Sequence, residues 1–393
     1  MTTAEKREPE VAVAPCPDYE EKTVTEALEA VLAPLGGLDW VKEGMRIVIK
    51  ANLVSFLKPE RAATTHPALL CALTKLLAER GAEVVIGDSP GGLYNAAYVG
   101  RVYKATGMQE AVAAGARLNE DYGTAFAEYP EGSVLKSFQY TSYLDKADAI
   151  INFCKLKTHG MMGMSAAAKN MFGVIPGVLK PEYHYKFPNA ADFARMILDL
   201  DDYFKPVLHL VDAVVGMEGN GPTAGTPRPI GAVLAARCPH KLDLVCAKLI
   251  GLTKNDVPTL AAAWERGLIP ERAEEVAVSQ SLDPFLISDY NIIQNHSSHL
   301  FRSDSHSFFG KLSARALQMA LQSRPVLKRK EDCVGCGECF RICPAKAIHM
   351  EKDKPRIQRK ACIHCFCCQE FCPKGALKVK RPVIARLVNG REK

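Results

Sequence analysis

The sequence predicts a three-layer α/β domain with a mainly parallel sheet, followed by a small C-terminal α+β domain. Two observations support the first part of this prediction: short apolar runs alternate with helical segments, and polar residues collect where these runs end. A third observation supports the second part, because a cysteine-rich pattern occurs twice between residues 333 and 373.

In chain order, residues 1–22 are expected to form an N-terminal arm. Residues 25–35 have apolar side chains at helical spacing. Residues 45–52 form a β-branched run typical of a buried strand, and they precede a helix at 68–80 and a second apolar run that starts at residue 83. This strand, helix and strand predict parallel pairing with a right-handed connection.

The same alternation continues through the next 150 residues. Further strands are predicted at 147–154, 207–213 and 231–236, and further helices at 95–105, 108–114, 191–204 and 241–250. Ser165 is a candidate cap for a short helix that contains Lys169 and Asn170. Five segments follow: the arm at 1–22, the α/β domain at 23–312, a linker helix and hinge at 313–327, a cysteine-rich domain at 328–381 and a tail at 382–393.

Composition indicates an ordinary soluble protein, since 48% of the 393 residues are hydrophobic and 24% are charged. The N-terminus is charged and no apolar run is long enough to span a membrane, so we expect a cytoplasmic protein. The formal charge from Lys328 onward is +10, against −4 for the preceding residues. Few aromatic residues accompany this positive charge, which favours docking to an acidic surface over nucleic-acid binding.

Two cysteine runs share the spacing C-x2-C-x2-C-x3-C-P, which is typical of bacterial ferredoxins with two 4Fe-4S clusters. In such runs the fourth cysteine binds the cluster of the other run. One predicted ligand set is therefore Cys333, Cys336, Cys339 and Cys372, and the other is Cys362, Cys365, Cys368 and Cys343. Zinc knuckles or a disulfide framework are the alternatives, although neither requires two identical runs that end in Pro. Cys367 is left as a packed or spare thiol.

The six cysteines outside these sets are scattered among apolar segments, as reduced thiols would be. A reducing, low-oxygen setting is the expectation. Cys154 precedes Lys155 and could be a reactive thiol, but its apolar neighbours favour an inert, buried one. His296, His299 and His306 have no recognisable ligand spacing, which favours a solvated loop over a metal site.

Ligands of open α/β sheets bind beyond the carboxyl ends of the strands, where this chain has lysine, histidine, asparagine and carboxylate side chains. The predicted catalytic residues are Asp88, Lys155, Lys157 and His159. The predicted substrate-binding residues are Lys50, Asn52, Ser89, Lys169, Asn170, Glu218 and Asn220. This set suits an anionic ligand such as a carboxylate or phosphate, although solvated strand ends also contain lysines.

Several short motifs resemble the domain-of-unknown-function 362 family, within roughly residues 45 to 250. They are Ile49-Lys-Ala-Asn-Leu53, Thr65-His-Pro67, Gly87-Asp-Ser-Pro-Gly91, Lys155-Leu-Lys-Thr-His159, Lys169-Asn-Met-Phe-Gly173 and Met217-Glu-Gly-Asn-Gly-Pro222. Members of this family often have a C-terminal two-cluster ferredoxin domain. The resemblance implies an iron-sulfur protein of anaerobic metabolism but supplies no substrate. A remoter similarity, in domain style only, is to the nickel-pincer lactate racemase.

Three functions are compatible with these patterns. In the first, the protein is an oxidoreductase or electron-transfer subunit that passes electrons to a small anionic substrate or to a redox partner protein. In the second, it is a cofactor-assembly or partner-binding protein whose clusters are structural or transferred. In the third, it is a non-redox enzyme that acts on a carboxylate. The oligomeric state and any additional cofactor stay open.

Overall fold

The main sheet is the centre of the α/β domain in the computed structural model, which describes residues 8–292 and 323–380. Its strands in chain order are β1 (Val11–Pro15), β2 (Arg46–Lys50), β3 (Glu83–Gly87), β4 (Arg117–Leu118), β7 (Ala149–His159), β8 (Gly163–Ser165), β9 (Leu208–Glu218) and β10 (Thr226–Ala236). Strands β5 (Thr124–Glu128) and β6 (Ser137–Thr141) form a separate hairpin.

Helices cover both faces of this sheet. They are α1 (Glu21–Leu32), α2 (Pro67–Ala78), α3 (Ala96–Ala105), α4 (Gln109–Ala113), α5 (Ala167–Asn170), α6 (Lys180–Lys186), α7 (Ala190–Phe204), α8 (Pro239–Leu249) and α9 (Pro258–Glu265). Short 3-10 helices occur at Ala33–Leu35, Pro59–Arg61, Ser142–Lys146, Met171–Val174, Gly177–Leu179, Ala273–Glu275 and Asp283–Phe285.

Strand order in the sheet is β1-β10-β9-β7-β2-β3-β4, with β8 paired to β7. The five strands from β9 to β4 are parallel, whereas β10, β1 and β8 pair antiparallel to their neighbours. Alternate residues of the central strands enter different cores: Ile47 and Ile49 lie on one face and Val48 on the other. The β-branched run is buried on both faces because helices cover both. The predicted three-layer fold class is confirmed.

The C-terminal part of the described chain, residues 324–380, is called the cluster module below. It contains β11 (Arg324–Leu327), α10 (Glu338–Arg341), β12 (Ile348–Glu351), β13 (Lys354–Ile357), α11 (Cys367–Glu370) and β14 (Leu377–Lys380). Two antiparallel pairs, β11 with β14 and β12 with β13, enclose its small core. Within the described residues, no helix has the length and apolar character that a membrane span requires.

Two segment predictions need correction. Val11–Pro15 belong to the sheet rather than to an arm, because β1 pairs antiparallel with β10 and supplies Val13 to one core and Ala12 to the other. Residues 324–327 are strand β11 rather than a hinge. Pro325 suggested a hinge, yet a proline is tolerated in a strand that pairs on one side only.

Other predicted segments fall outside the described residues. These are the linker helix up to residue 322, the three histidines His296, His299 and His306, and the tail at 382–393.

Candidate functional site

The eight predicted cluster ligands line two separate cavities in the cluster module. The first cysteine cavity has a volume of about 370 Å³ and is lined by Cys333, Cys336, Cys339 and Cys372. The second cysteine cavity, of about 320 Å³, is lined by Cys343, Cys362, Cys365 and Cys368, together with Cys367. Each run of cysteines thus contributes its fourth member to the cavity of the other run, as in the predicted ligand sets.

Matching backbone features surround the two cavities. Gly337 and Phe366 both have left-handed φ angles, 73° and 61°, and each precedes a short helix. The N–H of Ala347 donates to Cys343 Sγ at 3.2 Å, and the N–H of Ala376 donates to Cys372 Sγ at 3.3 Å. Such bonds stabilise the negative charge of a cysteine thiolate, which is the form that binds a metal.

The donor sets fit iron-sulfur cubes in number and chemistry. Sets of four cysteines are typical of both zinc sites and clusters. A cube needs four thiolates around it because each binds a different iron, and four predicted ligands line each cavity.

The strand-end pocket lies beyond the carboxyl ends of β2, β3 and β7, and its empty space of about 440 Å³ includes space that is open to solvent. Seven of the predicted residues line it: Asn52, Asp88, Ser89, Lys157, His159, Lys169 and Asn170. Its wall also includes Lys180 and Glu370, which the sequence analysis did not select.

Four predicted residues do not line this pocket. Lys50 lies behind Asp88 and donates to its Oδ1 at 2.6 Å. Lys155 forms an ion pair elsewhere, with Asp212. The Glu218 carboxylate accepts from a backbone N–H, and Asn220 bonds to the cluster module.

An irregularity in the pairing of β7 with β9 separates Lys155 from Lys157. Lys155 is opposite Asp212, but Lys157 is opposite Met217, so β9 contains extra residues at this point. Lys155 Nζ donates to Asp212 Oδ2 at 2.7 Å, Tyr19 Oη at 2.8 Å and the Val215 carbonyl at 2.9 Å. These three bonds use every donor of the ammonium group, so Lys155 has a structural role.

Lys157 has two neutral acceptors and no carboxylate within hydrogen-bond distance. Its Nζ donates to Asn52 Oδ1 at 2.6 Å and to the Ala63 carbonyl at 2.5 Å. Burial lowers the pKa of Lys157 to about 7, and the charge of Glu370 partly opposes this shift. Its third donor position is therefore available to a ligand.

A chain of asparagine side chains orients Lys157. Asn52 Nδ2 donates to Asn170 Oδ1 at 2.7 Å, and Asn170 Nδ2 donates to Asn152 Oδ1 at 2.7 Å. Asn152 Nδ2 lies 3.0 Å from His209 Nδ1, which accepts because an amide nitrogen only donates. In each link of this chain the amide nitrogen donates to the next residue, so the nitrogen of Asn52 is used and its oxygen is left to accept from Lys157.

His159 is a neutral hydrogen-bond donor that faces the pocket. Its Nδ1 accepts from the N–H groups of Met161 at 3.1 Å and Met162 at 3.2 Å. Burial and nearby lysines hold the pKa of His159 well below its usual value. The proton of the neutral ring is therefore on Nε2, which has no hydrogen bond within the described structure and lies 3.9 Å from Glu370 Oε2.

Asp88 forms an ion pair and backbone contacts at the floor of the pocket. Besides Lys50, its carboxylate accepts from the N–H of Leu53 at 2.7 Å and from the N–H of Ser89 at 2.9 Å. A side chain at Gly173 would overlap both Lys50 and Asp88, so glycine is required above this pair. Lys180 Nζ donates to the Ser89 carbonyl, and burial lowers the pKa of Lys180 to about 7.

The helix cap at α5 differs from the prediction. Ser165 belongs to β8 and does not cap the helix. Instead, the Asp243 carboxylate accepts from the N–H of Ala167 at 2.7 Å and the N–H of Ala168 at 3.1 Å. These bonds position the helix that contains Lys169 and Asn170. Cys154 is buried and burial raises its pKa well above the usual value, in agreement with an inert thiol.

The cluster module contacts the α/β domain beside the strand-end pocket. Asn220 Nδ2 donates to the Leu377 carbonyl at 3.1 Å, and Asn220 Oδ1 accepts from the N–H of Val379 at 3.2 Å. Gln369 Nε2 donates to the Asn220 carbonyl at 3.0 Å. The next residue, Glu370, completes the pocket wall. Helix α11 thus connects this wall to Cys368 of the second cysteine cavity.

A mainly parallel α/β domain, in contact with a module that has two four-cysteine cavities, defines an iron-sulfur α/β protein. Residues 47–248 match the family model described as domain of unknown function (DUF362), and residues 325–373 match the 4Fe-4S dicluster domain. The chain belongs to the DUF362 family. The resemblance indicated by its strand-end motifs is confirmed.

Similar proteins match different parts of the chain. A thylakoid-associated protein of Synechocystis sp. is 30% identical over 267 residues, which are 65% of this chain and 79% of that protein. An uncharacterized ferredoxin of Methanocaldococcus jannaschii is 39% identical over 46 residues, 12% of this chain and 74% of its own length. The lactate racemase apoprotein from Thermoanaerobacterium thermosaccharolyticum has 13% identity and a TM-score of 0.40, over 64% of this chain and 60% of that one.

Proposed function

We propose that this protein relays single electrons through two 4Fe-4S clusters to a small anionic substrate in the strand-end pocket. The observation that carries the proposal is the position of α11, which contributes Cys368 to the second cysteine cavity and Glu370 to the pocket wall. We assign one cluster to each cysteine cavity. When bound, the clusters supply single electrons, commonly at low potential.

Lysine side chains hold the substrate in this proposal. Lys157, Lys169 and Lys180 line a pocket whose two carboxylates are Asp88 and Glu370, and Asp88 is already paired with Lys50. Burying ammonium groups without carboxylate partners is costly, so a bound anion stabilises them. The same lysines stabilise negative charge that develops when the substrate accepts an electron.

His159 is the proposed proton donor of the site. Its Nε2 proton faces the pocket and is not bonded to any other described group. Asp88, the other candidate from the sequence, is held by Lys50 and two backbone N–H groups. We therefore assign it to orienting Lys50 and the turn that contains Ser89, rather than to proton transfer.

The two cysteine cavities differ in their exposure to solvent, and this difference supports a direction of electron flow from the first cavity to the second. Cys336 and the neighbouring Val334 are exposed beside the first cavity, and 61% of Val334 is accessible to solvent. The second cavity adjoins the α/β domain through Phe366 and Gln369, which approach Gly160. Electrons would enter from a partner protein near the first cavity and leave from the second.

The test uses anaerobically reconstituted protein reduced with dithionite. Reoxidation is followed by cluster absorbance after mixing with pyruvate, glyoxylate, nitrite or sulfite. At least one of these anions should reoxidise the wild type, and Lys157→Met and His159→Gln should lose this reaction while they retain their iron and sulfide. Lys104→Gln, an exposed change on α3, is the matched control.

Unchanged rates in both pocket variants would exclude the proposed site, and so would failure of all four anions. Transfer of iron and sulfide to an apo-ferredoxin, with no reoxidation by any anion, would instead favour the assembly function.

A further inference from the structure

Lys169 differs from the other buried lysines around the strand-end pocket. Lys50, Lys157 and Lys180 each donate to at least one oxygen atom. For Lys169 Nζ, by contrast, there is no hydrogen bond or ion pair among the contacts of residues 8–292 and 323–380, although only 9% of the residue is exposed. Its amine therefore faces the free space of the pocket.

Aromatic rings fix the position of this amine. Lys169 Nζ lies 4.7 Å from the ring centroid of Phe172 and 5.8 Å from that of Phe193. Ring faces attract cationic nitrogen without using its N–H groups. Burial lowers the pKa of Lys169; the charges of Glu370 and Cys367 oppose this shift, and the charge of Lys50 adds to it to a smaller extent. A lysine that is desolvated and close to another cation is an activated amine nucleophile.

The neighbouring groups complement a carbonyl compound that also has a carboxylate. Lys157 and Lys180 are anchored by neutral acceptors and can pair with a carboxylate. His159 presents an Nε2 proton to the same pocket. A carboxylate anchor, a free amine and a hydrogen-bond donor for the carbonyl oxygen together suit imine formation with an oxo acid.

We propose that Lys169 forms a Schiff base with a small 2-oxo carboxylate, which deepens and rests on the proposed function. Neutral Nζ attacks the carbonyl carbon, a C–N bond forms, and one amine proton moves to the carbonyl oxygen, which becomes a hydroxyl group that accepts a hydrogen bond from His159 Nε2. A proton from the Lys180 ammonium group converts this hydroxyl to water as the C–O bond breaks, and solvent reprotonates Lys180. The nitrogen keeps its second proton, so the product is a protonated imine, and no oxidant or reductant is needed.

The product has a chemical advantage for the relay. A protonated imine accepts electrons more readily than the parent carbonyl, because its nitrogen already has a positive charge. The faces of Phe172 and Phe193 stabilise that charge as they stabilise the ammonium group. Lys169 would thus be a covalent anchor, whereas Lys157 and Lys180 would be ionic ones.

The inference is tested by trapping. Holoprotein is incubated anaerobically with glyoxylate and sodium cyanoborohydride, which reduces an imine to a stable secondary amine, and its peptides are mapped by mass spectrometry. A carboxymethyl group is expected on Lys169, and excess oxalate, a dianion without a reactive carbonyl, should prevent it. Lys169→Arg should lose this adduct, and Lys104→Arg should retain it.

Adducts only on exposed lysines, or an adduct on Lys169 that oxalate does not reduce, would overturn the proposal. Peptide mapping of the wild type alone decides this point even if Lys169→Arg does not fold. Oxalate binding measured by calorimetry separates the two proposals. Binding that requires Lys157, without an adduct, leaves the anion site in place and rejects only the Schiff base.

Discussion

Lys155 and Lys157 are two residues apart on β7 and equally buried, with 1% exposure each, yet their surroundings are opposite. Lys155 has a carboxylate partner and three satisfied donors. Lys157 has only neutral acceptors and lines a pocket. The comparison teaches that burial alone does not single out a candidate lysine for ligand binding. A buried ammonium group without a carboxylate partner is the better candidate, because a ligand can supply the missing charge.

The largest expected effect concerns the buried ion pair between Lys155 and Asp212. Asp212→Asn should lower the free energy of unfolding by about 3–5 kcal/mol, because it leaves the Lys155 ammonium buried without a counter-charge. Lys157→Met should cost much less or stabilise the protein. Anaerobic denaturation followed by the fluorescence of Trp40 and Trp264 measures both changes in the α/β part of the chain. The double variant with Lys155→Met should recover part of the loss, and equal losses for Asp212→Asn and Lys157→Met would contradict the comparison.

The second prediction concerns the pH dependence of stability. The folded pKa of about 7 for Lys157 and Lys180 lies below the ordinary value of 10.5, so the unfolded chain binds more protons between these values. Stability should therefore rise with pH from about 7 to about 10.5, by up to about 1.4 kcal/mol per pH unit for each lysine. Denaturation midpoints at several pH values measure the slope.

Lys157→Met and Lys180→Met should each flatten this pH dependence, and Lys104→Gln should leave it unchanged. A wild-type stability that is constant or falls across the window would show that the pocket lysines stay protonated.

The third prediction concerns anion affinity. Oxalate should bind the wild type more tightly below pH 7 than above it, because Lys157 and Lys180 lose their protons as the pH rises through about 7. Lys157→Met should weaken binding about tenfold, or about 1.4 kcal/mol, at pH 6.5. Isothermal titration calorimetry provides the measurement with Lys104→Gln as control, and pH-independent binding would argue against these lysines as anchors.

The smallest expected effect comes from Glu370. Its charge raises the pKa of both Lys157 and Lys169 within the pocket. Glu370→Gln keeps the size of the side chain and removes this charge, so the onset of the stability rise should move to lower pH. The same denaturation series detects the shift. An unchanged onset would indicate that Glu370 does not act on the pocket lysines electrostatically.

The sequence predicts the elements of this fold better than their contacts. Apolar runs identify the parallel strands because both faces of those strands are buried. The separation of Lys155 from Lys157 was not predictable, since simple alternation places both on one face and the irregularity depends on pairing with β9. Pro325 suggested a hinge because a proline is a local signal for a break in structure. Its pairing with β14 depends on residues far away in the sequence, so the sequence does not show it.

Site residues on irregular or distant segments were also missed. Lys180 follows a 3-10 helix with no strand before it, so no strand-end rule selects it. Glu370 lies between two predicted cluster ligands, Cys368 and Cys372, and the cysteine spacing assigns no role to the residues between them. Only its position across the domain contact places it in the pocket wall. The cysteine sets were accessible to sequence reasoning because their spacing is a local property.

The Asn220 side chain forms two hydrogen bonds with the backbone at the edge of β14. One amide donates to the Leu377 carbonyl and accepts from the N–H of Val379, which are the two bonds that a neighbouring strand residue would make. Thr223 and Gln369 add hydrogen bonds across the same contact, so Asn220 is one of several side chains that hold the cluster module on the α/β domain. Electron tunnelling decays steeply with distance, so under the proposed relay these bonds would help to set the gap that electrons cross.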